Sequence, residues 1–168
     1  HRQWCGVPQH DVATEEDGDI ELWFTRQGEV PVRFSFSDSL VADAAETVSA
    51  LRTLGLQVEL LSGDRTSTVQ RVADELNIET WQAEARPADK VARLKMLETN
   101  GHRVLMIGDG LNDAPALAAG FASMSPAEGS DIAQTAADVV MQGPRRMSVV
   151  TTIRTARAAD WLVKQNFG

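Results

Sequence analysis

Two short stretches near the start of the chain alternate apolar and polar residues. Ile20–Phe24 and Val30–Phe36 place apolar side chains at every second position, which is typical of half-buried β-strands. Residues 26–29 lie between them and include a glycine, so we predict a β-hairpin. The acidic stretch Glu15–Asp19 before it lacks the ligand spacing of an EF-hand, and we interpret it as a solvated loop.

From Asp38 onward the pattern changes to helices alternating with strands. Apolar positions at helical spacing predict helices, and short, nearly continuous apolar runs predict strands covered on both faces. The predicted helices span residues 42–54, 66–76, 87–99, 112–119, 130–136 and 144–165, and the predicted strands span 57–61, 80–84, 103–107, 121–124 and 139–141. This alternation indicates an α/β fold with a Rossmann-like, doubly wound parallel sheet. Such sheets bind ligands at the carboxyl ends of their strands.

Composition narrows the possible functions. The chain has 168 residues, of which 43% are hydrophobic, so it can bury the core of one ordinary domain. The formal net charge of -8 argues against a nucleic-acid partner, which would require a basic face. The sequence contains no run of about 18 apolar residues that would predict a bilayer span. A single cysteine, Cys5, excludes an internal disulfide.

The strongest candidate for a functional site is the segment Ile107–Pro115, which reads Ile-Gly-Asp-Gly-Leu-Asn-Asp-Ala-Pro. Asp109 follows an apolar strand directly, and Asp113 lies four residues later in the first turn of the next helix, so both carboxylates are expected to face one point. Gly108 and Gly110 would allow a ligand to approach the backbone closely. Two converging carboxylates predict a Mg²⁺ site. The alternative is a helix-capping turn, with Asn112 or Asp113 as the N-cap.

Two further segments carry candidate phosphate-binding groups. Ser62 and Gly63 follow a predicted strand and would present a hydroxyl and free backbone amides to a phosphoryl group, although Ser-Gly-Asp alone is a common turn. Pro87 opens a predicted helix and places Lys90 in its first turn. A cation is unfavourable there because the helix N-terminus favours anions. Lys90 therefore either neutralises phosphoryl charge or is a surface lysine with a solvated head.

The order and spacing of these segments resemble the haloacid dehalogenase superfamily. Within it, Gly108–Leu117 is similar to the signature of cation-pumping P-type ATPases, and Asp131–Met141 resembles the segment that follows it in their heavy-metal branch. The last predicted helix, which ends in Lys164-Gln165-Asn166, looks like the approach to a membrane helix. Ser123–Ala127 stands where many members have a glycine-rich stretch, and this variant resembles the copper pumps linked to cytochrome oxidase assembly and nitrogen fixation.

The resemblance implies a division of the chain and a set of roles. Residues 1–32 would be the C-terminal tail of a nucleotide-binding domain, and residues 33–168 a phosphorylation domain at the cytoplasmic face of the cell membrane. The implied partners are ATP, a transported heavy-metal cation (copper) and the membrane domain of the same polypeptide, with no nucleic acid. The implied site comprises catalytic residues that bind phosphate (Ser62, Lys90), further phosphate-binding residues (Gly63, Asn112) and Mg²⁺ ligands (Asp109, Asp113).

The sequence also departs from the family pattern. The family motif Asp-Lys-Thr-Gly-Thr, whose aspartate is phosphorylated, does not occur in it, and neither does the histidine-proline motif that helps to position ATP. The chain opens without methionine and its last predicted helix runs almost to the end. We therefore expect an excised piece of an ATP-driven transporter, inactive by itself.

Two alternatives stay open. A stand-alone phosphatase of the same superfamily would use Asp38 as its nucleophile, but Leu40 stands where such enzymes place an acid/base aspartate. Asp17 and Asp19 have that spacing but no preceding apolar strand. A non-catalytic regulatory α/β domain would explain the parallel sheet, but not Lys90 together with the cluster at residues 108–113.

Overall fold

The computed structural model describes residues 20–26, 30–36 and 40–167. The chain divides into two compact units, His1–Leu40 and Val41–Gly168. In the first unit, β1 (Ile20–Phe24) pairs antiparallel with β2 (Val32–Phe36), which confirms the two predicted strands. The functional boundary between residues 32 and 33 stays a prediction. Asp38, Asp17 and Asp19, as well as Cys5, lie outside the described residues.

The second unit alternates helices and strands, and the predicted α/β class is confirmed. Its first half contains α1 (Ala44–Thr53), β3 (Glu59–Leu61), α2 (Thr66–Glu75), β4 (Thr80–Gln82) and α3 (Pro87–Thr99). Its second half contains β5 (Leu105–Ile107), a 3-10 turn (Leu111–Asp113), α4 (Ala114–Ala119), β6 (Ala122–Pro126), α5 (Asp131–Ala136), β7 (Val139–Met141) and α6 (Ser148–Phe167).

Three predicted boundaries are wrong for identifiable reasons. The helix predicted over residues 112–119 begins as the 3-10 turn, and the α-helix itself starts at Ala114. Strand β4 ends at Gln82, and Glu84 has a φ of +52°, a left-handed backbone that no strand contains. The last helix begins at Ser148 rather than at residue 144, because Gly143 has a φ of +84° and directs the chain into a turn.

The parallel strands are hydrogen-bonded in two groups. Strand β3 pairs with β4, with Leu60 opposite Trp81. Strands β5, β6 and β7 form a second group in that order, with Met106 opposite Ser123 and Ser125 opposite Val140. Within the described part of the chain, β3 and β5 therefore each have one edge without a hydrogen-bonded strand.

Helices cover both faces of the second group of strands, as in the predicted doubly wound arrangement. On one face, Met124 and Met141 pack with residues of α1 and α6, and both Leu105 and Val58 lie against this cluster. On the other face, Met106 packs with residues of α3, α4 and α5, which are Leu94, Ala116, Leu117 and Ala133. Leu105 and Met106 point to opposite faces because successive strand side chains alternate. No described helix is both long and apolar enough to cross a membrane.

Candidate active site

Strand β5 delivers Asp109 to its carboxyl end, as predicted. The N–H of Gly108 donates to the carbonyl of Met124 at 3.2 Å, which extends the pairing with β6 by one residue. The next residue, Asp109, has an exposed side chain, while its backbone carbonyl accepts from the N–H of Ser130 at 2.9 Å. Its carboxylate is thus accessible, and its backbone is held by a neighbouring loop.

Close packing across Gly108 brings Asp113 back towards the same strand end. A Cβ atom at Gly108 would lie 2.6 Å from Cβ of Asp113, closer than side chains approach one another. Asp113 Oδ2 also accepts from the N–H of Gly110 at 3.3 Å, which closes the 3-10 turn. Asp113 directly precedes α4 but makes no side-chain capping bond to it, so the alternative of Asp113 as a capping side chain of that helix is wrong. Asp113 instead reaches back from the end of the 3-10 turn to Gly110, and it makes a second contact.

That second contact is an ion pair with Lys90. The Lys90 Nζ donates to Asp113 Oδ1 at 2.6 Å, and the two side chains are only 9% and 14% exposed. The interpretation of Lys90 as a surface lysine with a solvated head is therefore wrong. The structure brings together two predicted site residues that are 23 positions apart in sequence.

Asp89 fixes the start of the helix that carries Lys90. Its Oδ2 accepts from the backbone N–H of Arg86 at 3.0 Å and from Arg86 Nε at 3.1 Å. The Arg86 side chain, followed by its backbone N–H, lowers the pKa of Asp89, and the same contact raises the pKa of Arg86. Pro87 occupies the first helical turn, where a missing N–H is harmless. Asp89 therefore stabilises the start of α3, and the ion pair that reaches the candidate site is made by the next residue, Lys90.

Ser62 lies at the carboxyl end of β3, but its hydroxyl is engaged locally. Its Oγ donates to Asp64 Oδ2 at 2.7 Å and accepts from the N–H of Asp64 at 3.2 Å. In the part of the chain that the structure describes, neither Ser62 nor Asp109 bonds through its side chain to Lys90 or Asp113. To donate to a phosphoryl oxygen, the Ser62 hydroxyl must turn away from Asp64.

The remaining predicted phosphate-binding residues, Gly63 and Asn112, are both accessible to a ligand. A Cβ at Gly63 would meet nothing closer than the carbonyl of Ala85 at 3.6 Å, an ordinary contact distance. Asn112 is exposed in the 3-10 turn. Both residues thus lie at the surface beside the strand ends, and their contact with phosphate stays a prediction.

The carboxylates fit a Mg²⁺ site in part. Both oxygens of Asp113 already accept, from Lys90 and from Gly110, although each carboxylate oxygen has a further lone pair. Asp109 offers an exposed carboxylate, and oxygen ligands suit a hard cation. The described residues contain no cluster of three or more His, Cys, Asp or Glu side chains placed to hold a metal. Two carboxylates supply only part of an octahedral shell.

Two contacts around the site are not indicated by the motifs in the sequence. Arg93, one turn after Lys90 on α3, forms a two-pronged ion pair with Glu59 of β3, at 2.7 Å and 2.9 Å, and thus joins the helix of Lys90 to the strand before Ser62. Ser130 bonds to the backbone of Asp109. The sequence signal for the second contact is Ser130 at the start of a predicted helix, because N-cap residues are often held in a defined turn.

We expect Gly108→Ala to displace Asp113 and loosen its ion pair with Lys90. The added methyl group would lie 2.6 Å from one side-chain atom of Asp113 and 3.0 Å from the next, so the backbone must shift. We expect a loss of about 2 kcal/mol in the free energy of unfolding, as for other overpacked positions. Urea denaturation measures it, with Gly63→Ala, whose added Cβ has ordinary contacts, as the control. Equal stability of the two variants would show that Gly108 is not sterically required.

Comparison with known proteins identifies the family. A family model described as haloacid dehalogenase-like hydrolase matches residues 3–120, well over half of the chain. The chain belongs to the haloacid dehalogenase-like hydrolase family. Membership accounts for the parallel strands and for the placement of the candidate site at their carboxyl ends.

The relatives in sequence are P-type ATPases and nitrogen fixation proteins. The nitrogen fixation protein FixI of Bradyrhizobium diazoefficiens is 44% identical over 74% of this chain and 17% of its own length. The protein named probable copper-transporting ATPase PacS, from Synechocystis, is 32% identical over 99% of this chain and 22% of its own. The chain thus spans about a fifth of the length of the curated relatives it matches. The resemblance to heavy-metal P-type ATPases is confirmed.

Solved structures agree with these relatives. A zinc-transporting PIB-type ATPase in its E2.Pi state superimposes with a TM-score of 0.77 at 32% identity, over 89% of this chain and 24% of that one. The catalytic domain of the CPx-ATPase CopB-B matches with a TM-score of 0.55 at 37% identity, over 67% of this chain and 45% of that one. The solved structures that share this fold therefore belong to the same heavy-metal branch that the sequence resembles.

Proposed function

We propose that this chain is the phosphorylation domain of an ATP-driven heavy-metal transporter, with copper as the transported cation. The observation that carries the proposal is the shielded ion pair of Lys90 and Asp113 beside the exposed Asp109, within the segment that resembles the P-type ATPase signature. The copper-transporting ATPases among its relatives support the choice of cation. The proposal places the domain at the cytoplasmic face of a membrane, joined to a membrane domain of the same polypeptide.

In the proposed reaction, an aspartate carboxylate from another segment of the polypeptide attacks the γ-phosphorus of ATP. The bond from that phosphorus to the bridging oxygen breaks, ADP leaves, and an acyl phosphate forms. Water later attacks the same phosphorus and releases inorganic phosphate. Lys90 offsets the negative charge on the transferred oxygens, while Ser62 and the backbone amide of Gly63 donate to them. Asn112, three residues after Asp109 and exposed, would bind the phosphoryl group as well.

Haloacid dehalogenase-like hydrolases and P-type ATPases generally use Mg²⁺, and we assign its binding here to Asp109 and Asp113. The ion would offset phosphoryl charge when bound. The oxygen chemistry of the two carboxylates and the exposure of Asp109 support this assignment. Lys90 keeps Asp113 oriented towards the strand end, so that its remaining lone pairs face a fixed direction.

Unpaired strand edges support the idea that another segment supplies the nucleophile. Within the described residues, β3 and β5 each lack a partner on one side, yet Val58, just before β3, and Leu105, the first residue of β5, lie against one hydrophobic cluster. A further parallel strand between β3 and β5 would satisfy both edges. Its carboxyl end would then present an aspartate between Ser62 on one side and the Asp109 loop on the other.

We expect this chain alone to bind Mg²⁺ weakly, with a dissociation constant above about 1 mM, because two carboxylates provide too few of the six ligands. Titration calorimetry of the chain should therefore show little heat at low millimolar Mg²⁺. Asp109→Asn serves as the control for nonspecific binding to a chain of net charge -8. Micromolar affinity that disappears in Asp109→Asn would show that no ligand is missing.

The function itself is tested on the full-length polypeptide from which this domain comes. With ATP labelled on its γ-phosphate, we expect covalent labelling that hydroxylamine removes, as for an acyl phosphate, and that Cu⁺ stimulates. Labelling that never forms would overturn the proposal of a P-type mechanism. Labelling stimulated by another cation, but not by Cu⁺, would retain the mechanism and correct the transported cation.

A further inference from the structure

The loop between β6 and α5, which we call the 127–130 loop (Ala127, Glu128, Gly129, Ser130), is held at both ends and in the middle. The N–H of Ala127 donates to the carbonyl of Met141 at 2.8 Å, which ties the loop to β7. Gln134 Nε2 donates to the carbonyls of Ala127 at 3.1 Å and Gly129 at 2.9 Å. Ser130 Oγ accepts from the N–H of Ala133 at 3.2 Å and caps α5. These contacts give the loop one defined conformation.

The loop packs directly against the backbone of Asp109. The N–H of Ser130 donates to the Asp109 carbonyl at 2.9 Å. Gly129 approaches so closely that a Cβ there would lie 3.0 Å from that carbonyl and 2.9 Å from both the carbonyl of Pro126 and Oγ of the fully buried Ser125. Only a glycine fits this position without displacement. Ser125 and Pro126, which pack against Gly129 here, belong to the Ser123–Ala127 segment that distinguishes this sequence from many family members.

Asp109 needs contacts from outside its own segment, because the neighbouring residues do little to fix its backbone conformation. It stands between Gly108 and Gly110, which have no side chains to restrict the backbone. Its carboxylate is exposed and, in the described part of the chain, no side-chain hydrogen bond orients it. The Ser130 contact holds the peptide that follows Asp109, and the direction of that peptide determines where the carboxylate points.

We propose that the 127–130 loop positions Asp109 for its ligand, with Gly129 allowing the approach and Gln134 holding the loop rigid. The inference rests on the proposed function, in which Asp109 binds Mg²⁺. It assigns Gly129 and Gln134 as positioning residues that touch neither metal nor substrate. Groups that hydrogen-bond to a metal-binding side chain typically contribute about 10-fold or more to metal affinity, and we expect an effect of that order for this backbone contact.

The first test needs no metal. In the 168-residue chain, Gly129→Ala should speed amide hydrogen exchange at Ser130 by about 10-fold or more, because the added methyl group breaks its bond to Asp109. The backbone NMR signals of Gly108 and Gly110 should move as well. Gly101→Ala is the matched control, since a φ of +85° makes alanine unfavourable there while nothing lies within 4 Å of the added Cβ. Unchanged exchange at Ser130 in Gly129→Ala would overturn the proposal.

The second test uses the full-length polypeptide. The Mg²⁺ concentration for half-maximal phosphorylation should rise about 10-fold in Gly129→Ala, with a smaller effect on the maximal level, and should not change in Gly101→Ala. If Gly129→Ala does not fold, Gln134→Met should give the same shift in Mg²⁺ dependence, because its side chain has no N–H to donate. Unshifted Mg²⁺ dependence in the folded variants would overturn the inference. If Asp109→Asn leaves the Mg²⁺ dependence unchanged, the metal assignment fails instead, and the exchange measurement still decides whether the loop holds Asp109.

Discussion

Replacing Lys90 with methionine should lower the free energy of unfolding by about 3 kcal/mol, the lower part of the range for breaking a buried ion pair. Asp113, only 14% exposed, would lose the Lys90 ammonium at 2.6 Å. The N–H of Gly110 would still donate to it, which limits the loss. Urea denaturation of the 168-residue chain measures the change.

The chain offers a matched control for this substitution. Lys164 and Asp160 on α6 form an ion pair of the same 2.6 Å length, but their side chains are 73% and 63% exposed. Lys164→Met should cost no more than about 0.5 kcal/mol, as is usual for surface pairs. Adding Asp113→Asn to Lys90→Met should restore part of the stability, because no buried charge is then left unpaired. Equal losses of unfolding free energy for Lys90→Met and Lys164→Met would contradict the conclusion that the ion pair of Lys90 and Asp113 is shielded from solvent.

The isolated chain should release no phosphate from ATP above background. Charge stabilisation by Lys90 and hydrogen bonds from Ser62 cannot replace a nucleophile in a two-step covalent reaction. A longer polypeptide that includes the Asp-Lys-Thr-Gly-Thr segment should, in contrast, become phosphorylated in the presence of Mg²⁺. Lys90→Ala in that polypeptide should reduce the rate of phosphorylation by about 100-fold or more, as when other groups that stabilise transition-state charge are removed.

A phosphate-release assay on the purified chain, with Asp109→Asn as the control for contaminating enzymes, provides the measurement. Turnover that persists through purification and disappears in Asp109→Asn would contradict the proposal. It would revive the alternative of a stand-alone phosphatase, and Asp38→Asn would then show whether Asp38 is its nucleophile. Loss of turnover in Asp38→Asn as well would establish that alternative.

The local patterns predicted helices best where each had its own start and stop signals. Helix α3 runs over residues 87–99 as predicted, because Pro87 and the capping contact of Asp89 start it and Gly101, with a φ of +85°, follows its end. Prediction of the 3-10 turn failed because the geometry of Leu111–Asp113 depends on the packing of Asp113 against Gly108. The start of α6 was misplaced by four residues, since Pro144 is compatible with both a turn and a first helical turn.

The motifs alone were enough to predict the family and the α/β class, because the spacing of glycines, aspartates and a lysine around strand ends is a local property. They also indicated which residues to propose as the site. Their partners are not local. Lys90 meets Asp113, the Ser62 hydroxyl turns to Asp64, and Gly129 touches the backbone of Asp109 across 20 residues of sequence. Such contacts depend on how α3, β5 and the loop after β6 pack around shared cores, and distances of 3 Å between them are set by that packing rather than by any segment's own pattern.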